Sequence, residues 1–209
     1  ENTVLSYAWD NTFCKQNIVL NNVTLWDIEN PYLYSLKTNI YANGKLTYTV
    51  TTNFGVRDIY FDANKGFFLN GKNVKIKGLC CHHDHAGLGI AQNKNVFEYR
   101  IAQMKSMGAN AYRSAHHMPT DELLDICDRI GMFVFDETRR MSSAPQDLEC
   151  LRTMVKHARN HPSVFLYGIG NEEIFSQHRK ETARTTVTMK TEIRKLDPSR
   201  NITSAVVCW

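Results

Sequence analysis

From about Gly66 onward the chain alternates short apolar runs with helical stretches, and the apolar runs end on polar residues of chemical use. Residues 74–79 read as a strand, 95–107 carry helical periodicity and 109–113 form a further short strand. Residues 120–130 read as a helix, with Thr120 placed to cap its start and Gly131 just past its end. A strand over 132–136, a helix over 145–160, a buried strand over 164–169, a helix over 181–196 and a strand from 203 to 209 complete the series. Strands and helices in such alternation build a parallel sheet, either open and doubly wound or closed as a (β/α)8 barrel.

Two features choose the barrel. An open nucleotide-binding sheet needs a Gly-rich turn after its first strand, so that a pyrophosphate can approach the backbone. Here Leu79 runs instead into Cys80-Cys81-His82-His83-Asp84-His85. The polar groups also gather where barrel enzymes keep their chemistry, at the C-terminal strand ends: His82 to His85, Arg113 to His117, Asp136-Glu137 and Asn171-Glu172-Glu173. The expected fold is α/β, a partial (β/α)8 TIM barrel of about five βα units. With about three strands missing from a closed barrel, the sequence reads as a fragment with two open parallel edges, and as inactive by itself.

Before residue 60 the texture differs. Aromatic and β-branched runs over 32–41 and 46–52 flank Asn43-Gly44, a hairpin turn signal, and suggest antiparallel β-sandwich strands. The chain thus divides into residues 1–60, the end of a sandwich domain, and 61–209, the first part of the barrel. A 43% hydrophobic content supplies a core for both. The net charge of +4 lies wholly beyond Arg57 and is scattered among acids, which argues against a nucleic-acid partner. No apolar run approaches a membrane span, and the N-terminus lacks a signal-peptide layout, so no membrane partner and a cytoplasmic location are expected. Six irregularly spaced cysteines without a C-x-x-C suggest free thiols in a reducing compartment.

Among the strand-end residues, Glu172 suits general-acid work, because partial burial raises a carboxyl pKa toward neutrality. The competing reading is that Asn171-Glu172-Glu173 only caps the next helix. The histidines could form a metal cluster, but His82 and His83 are adjacent on a strand and point to opposite faces, and no H-E-x-x-H spacing is present, so no metal is expected. Asp136 and Glu137 suit either function or an ion pair with Arg139-Arg140. Trp209 suits either an aromatic platform beside the pocket or a core.

Leu25-Trp26, Glu29-Asn30-Pro31-Tyr32-Leu33-Tyr34, Phe54-Gly55-Val56-Arg57 and Phe68-Leu69-Asn70-Gly71-Lys72 resemble the junction of glycoside hydrolase family 2, where an immunoglobulin-like domain hands over to the catalytic barrel. Residues 78–83, Arg113-Ser114-Ala115-His116, Phe135-Asp136-Glu137, Arg159-Asn160-His161-Pro162-Ser163 and Gly168-Ile169-Gly170-Asn171-Glu172 are similar, in order, to that family's successive barrel signatures. The segments Asp136-Glu137-Thr138-Arg139-Arg140 and Lys195-Leu196-Asp197-Pro198 resemble its β-galactosidase branch most.

The resemblance implies retaining hydrolysis of a terminal β-linked galactose without a cofactor. Glu172 would be the acid/base. Asn171 would bind the sugar 2-hydroxyl, His82 and His116 would line the pocket, and Arg113 would lie near the nucleophile, itself on a later strand beyond Trp209. The acid-and-His magnesium motif of some β-galactosidases does not follow Glu137, and His117 stands where relatives often carry Asn or Tyr. A carbohydrate is the implied partner, and the full-length enzyme could be a homo-oligomer. A β-glucuronidase, a β-mannosidase and an inactive binding relic remain as alternatives, since the Asn-Lys pair that marks a glucuronidase would come from later in the barrel.

Overall fold

A computed structural model describes residues 2–7, 9 and 11–207. Its N-terminal part is an antiparallel hairpin, β1 (Tyr34–Ala42) and β2 (Lys45–Phe54), in which Tyr34 pairs with Phe54 and Ala42 with Lys45. Asn43 and Gly44 make the turn at φ +50° and +76°, the left-handed conformations that a two-residue hairpin loop demands. Most hairpin side chains are exposed, Ile40, Tyr41, Leu46 and Tyr48 included.

A small antiparallel sheet follows, in order β3 (Ile59–Asp62), β4 (Gly66–Leu69) and β5 (Lys72–Asn73). Its Phe67 and Leu69 join Trp26, Ile28, Ala111, Phe133 and Phe165 in one buried cluster. The strand expected at 74–79 starts later than that. Val74 and Ile76 alternate as strand residues do, yet they pack on this cluster, and the Val74 amide bonds Phe67 O. Parallel pairing begins only where Gly78 meets Ala111.

The main sheet has five parallel strands in chain order: β6 (Gly78–His82), β7 (Ala111–Ala115), β8 (Phe133–Glu137), β9 (Val164–Asn171) and β10 (Asn201–Ala205). Four helices alternate with them: α1 (Lys94–Ser106), α2 (Asp121–Ile130), α3 (Pro145–Ala158) and α4 (Lys180–Leu196). The Thr120 hydroxyl caps α2 by accepting from the Leu123 amide at 3.4 Å, and Gly131 closes it. Buried residues of all four helices, among them Ile101, Leu124, Met154 and Ile193, share one core with Tyr112, Val134, Val164 and Tyr167 of the strands. The other face of the sheet carries Ala111, Phe133 and Phe165 against the β3–β5 cluster. Helices on one face alone are the arrangement of a barrel wall, whereas a doubly wound sheet is covered on both.

The N-terminal end of this wall is sealed. The Trp26 indole donates to Asp128 O at 2.8 Å, and Arg57 donates to Pro162 O and Val164 O. Arg200 spends its guanidinium on Asp197 and on the carbonyls of Val164, Arg159 and His161.

Candidate active site

The alternation of a strand puts Cys80 and His82 of β6, Arg113 of β7 and Phe135 and Glu137 of β8 on the face away from the helices. At the C-terminal end of that face Arg113, Glu137 and Asn171 meet, with His116 just past β7. Glu137 is fully buried. Its Oε2 accepts from Arg113 Nε at 2.8 Å and pairs with the guanidinium at 2.6 Å, while Oε1 lies 2.7 Å from His116 Nδ1. Arg113 also donates to Asn171 Oδ1 at 2.6 Å, and its guanidinium lies 5.2 Å from the Phe135 ring centre. A buried carboxylate costs several kcal/mol of desolvation, and two cationic or polarisable partners at short range are what makes this one tolerable.

The backbone is shaped for this group. A Cβ built on Gly168 would lie 2.5 Å from the Phe135 ring and 2.9 Å from Glu137 Cγ, so only glycine leaves the space that Glu137 fills.

Two imidazole pairs stand side by side. His82 meets His116 edge to face at 5.4 Å, and His83 meets His117 at 5.3 Å and Phe97 of α1 at 5.3 Å. Burial, with His117 alongside, lowers the His83 pKa. All four rings line one cavity of about 370 Å³, together with Asp84 and Arg139. His83 was expected to turn away from the pocket of His82; instead it lines the same cavity, because the loop after β7 carries His117 across to meet it. His117 Nδ1 lies 2.7 Å from Met118 O.

The expected residues are therefore placed as follows. Arg113, His116 and Asn171 are brought into contact, and His82 stands against His116. Glu172, expected to be partly buried at the strand end, is instead exposed just past β9, with φ +53° and its amide donating to Ala205 O at 2.9 Å, because the chain turns outward there before α4. Its carboxylate has no hydrogen-bond or ion-pair partner among the described residues, and it does not line the imidazole cavity. Glu173 is half-buried and gives its carbonyl to Ser176 and Gln177. Trp209 lies outside the described residues.

Glu137 is the residue that sequence reasoning undervalued. Its neighbours Arg139 and Arg140 suggested a local ion pair, but its partners come from β7 and the loop that follows it. Strand parity could have found it, since Arg113 and Glu137 sit in phase with inward-facing Ala111 and Phe133. Asp136, of opposite parity, is buried against the helices with neither oxygen hydrogen-bonded, and burial pushes its pKa up to about 8.

Among the described residues, three possible metal ligands gather only at Asp125, Asp128 and His161. That group lies near the start of β9, at the far end of the sheet. Asp128 is already engaged there, accepting from the Ser163 amide at 3.0 Å and lying 2.7 Å from His161 Nδ1.

Comparison with known proteins agrees with this architecture. The family described as glycosyl hydrolases family 2, TIM barrel domain, matches residues 62–147 and 141–208, and the family described as glycosyl hydrolases family 2 matches residues 2–57. A β-galactosidase of Bacteroides ovatus, BoGH2A, is 40% identical over 169 residues, covering 75% of this chain and 20% of its own length. A β-glucuronidase of Bacteroides fragilis is 30% identical over 207 residues, covering 90% of this chain and 29% of its own. The crystal structure of a glycosyl hydrolase family 2 member from Bacteroides cellulosilyticus superposes with a TM-score of 0.83 at 36% identity, over 88% of this chain and 25% of that one. The chain thus spans under a third of the length of these relatives. With the barrel wall and the family match over most of its residues in agreement, the chain belongs to glycoside hydrolase family 2.

Proposed function

We propose that the protein acts in retaining hydrolysis of terminal β-galactosides, with Glu172 as acid/base. The observation that carries this reading is the contrast between the two glutamates at the strand ends. Glu137 has both oxygens engaged and no exposed surface, so it cannot attack or protonate a sugar. Glu172 is exposed and unpartnered, next to an Asn171 whose carbonyl is held by Arg113 and whose amide nitrogen remains to donate to a hydroxyl. In the first step Glu172 gives its proton to the departing oxygen; in the second, as carboxylate, it takes a proton from the attacking water. His82 and His116 supply hydroxyl contacts from the cavity wall. The nucleophile is assigned to none of these 209 residues.

A second reading, β-glucuronidase, is favoured by one observation. Arg139 lines the cavity, is exposed and has no ion-pair partner among the described residues, so a uronate carboxylate could pair with it.

The test is Glu172→Gln in the full-length protein, assayed on aryl β-galactoside, aryl β-glucuronide and a natural disaccharide. An activated aryl glycoside departs with little protonation, so the disaccharide should lose about 10²–10⁴-fold and the aryl substrate much less in its glycosylation step. Azide should partly restore aryl turnover, because a small anion attacks the glycosyl-enzyme without a base. Equal losses without rescue would return Glu172 to a helix-capping role, and preference for the glucuronide would select the second reading.

A further inference from the structure

We infer that Glu137 is the positioning residue of this pocket, setting which face of His116 and which end of the Asn171 amide are presented to the sugar. The inference rests on the hydrolase reading above for its substrate, and on the buried cluster for its geometry.

A carboxylate only accepts, so the 2.7 Å contact requires His116 Nδ1 to carry the proton and donate it to Glu137 Oε1. The approach of the Arg113 guanidinium to the same Nδ1, at 3.3 Å, is then a neighbour contact, because both groups are donors there. With Nδ1 committed, Nε2 is the ring nitrogen left for the cavity that His116 lines, where in the neutral ring it accepts a hydrogen bond from a sugar hydroxyl.

The second arm runs through Arg113. Glu137 holds Nε and one terminal nitrogen of the guanidinium, which fixes the plane of the fork. The fork then donates to Asn171 Oδ1 at 2.6 Å, so the amide cannot flip, and its NH₂ is the end available to substrate. One carboxylate thus orients two polar groups borne on separate βα units, His116 just past β7 and Asn171 at the end of β9. Glu137 itself touches no ligand, being fully buried beneath them. The notch at Gly168 shows how much the backbone yields to place it: any side chain there would strike Glu137 Cγ or the Phe135 ring. A carboxylate serving only to neutralise Arg113 would not require the His116 contact.

Two measurements on the full-length protein test this. In the ¹⁵N spectrum of histidine-labelled protein, with His116→Gln identifying the resonance, His116 should carry its proton on Nδ1. An unprotonated Nδ1 overturns the inference whether or not the protein hydrolyses sugars, and this readout needs no variant of Glu137 to fold. The second measurement compares Glu137→Gln and Glu137→Asp on a glycoside and its 2-deoxy analogue. A misplacement of about 1 Å costs on the order of 10²-fold, so Glu137→Gln should lower kcat/KM by about that on the glycoside. The loss should be several-fold smaller on the 2-deoxy substrate, which lacks a hydroxyl for Asn171, and Glu137→Asp should recover part of it. Equal losses on both substrates, or lowered stability with kcat/KM unchanged, would make Glu137 merely structural. A protein with Nδ1 protonated but no hydrolysis of any glycoside would overturn the hydrolase reading and leave the positioning geometry standing.

Discussion

The two ends of the parallel sheet each bury an ionic network, and they use it differently. At the N-terminal end Arg200 bonds Asp197 and three backbone carbonyls, Tyr167 donates to Asp197 at 2.9 Å, and Asp128 takes the Ser163 amide and the His161 ring. Burial alone would raise the Asp197 pKa, but Arg200 and Ser199 override it and hold the carboxyl down at about 2. Every partner there is the protein's own, and Arg200 and Asp197 are both buried. At the C-terminal end Glu137 is equally buried, yet Arg113 and His116 are about a fifth exposed, and His116 fronts a cavity. At the N-terminal end the Arg200 guanidinium is spent on four oxygens of the fold, whereas at the C-terminal end His116 fronts a cavity and the Asn171 amide nitrogen is left beside it, which suits a surface prepared for a ligand.

The largest effect that would break this comparison lies at the sealed end. Arg200→Met should leave Asp197 without its cationic partner in a buried site and remove one donor from each of the carbonyls of Val164, Arg159 and His161, costing about 3–5 kcal/mol. Denaturant unfolding measures it, and in the full-length protein the KM of the proposed hydrolysis should be unchanged, because the site proposed for substrate lies at the opposite end of the sheet. A changed KM at unchanged stability would erase the distinction between the two ends.

Asp136 sharpens the comparison, since it belongs to neither network. Its pKa of about 8 in the fold lies above the ordinary carboxyl value, so the folded state binds the extra proton. Stability from this group is therefore full below about pH 4 and declines as pH rises toward 8, by about 1.4 kcal/mol per pH unit for one proton. Asp136→Asn should flatten that slope in unfolding measured from pH 5 to 8. A slope that persists in the variant would assign it to other groups.

The smallest effect concerns the cap at the ligand-facing end. Thr120→Ala removes the hydroxyl that accepts from Leu123 and should cost about 1 kcal/mol, with the proposed hydrolysis by the full-length protein unchanged in rate. A kinetic change larger than twofold would mean that position at this end suffices to affect the site, and that the unspent donors are not what distinguishes it.

Much of this was legible in the residues themselves, because the signals are local. Asn43-Gly44 announces its hairpin, Thr120 and Gly131 bracket α2, and the alternation after residue 66 announces a parallel sheet with polar strand ends. The hairpin turn needs positive φ and the helix needs an acceptor at its first turn, and both requirements are met within a few residues. Strand 74–79 was misplaced because alternation reports a buried face without saying which neighbour buries it. Here β4 and the lower cluster claim Val74 and Ile76.

What only the tertiary structure decided is who meets whom at the strand ends. Arg113 and Glu137 are 24 residues apart, and Arg113 and Asn171 are 58 apart. Parity puts the first two on one face, but their contact depends on the register of β7 against β8 and on the space left at Gly168. The apparent partners in sequence, Arg139 and Arg140, lie beyond the end of β8 and are exposed. The amino-acid order by itself therefore determined the elements, their sheet and the stock of chemical groups at its C-terminal strand ends. Close packing between strands selected the pairs, because a buried charge is satisfied by whichever partner the fold brings within hydrogen-bond distance, and sequence proximity does not measure that distance.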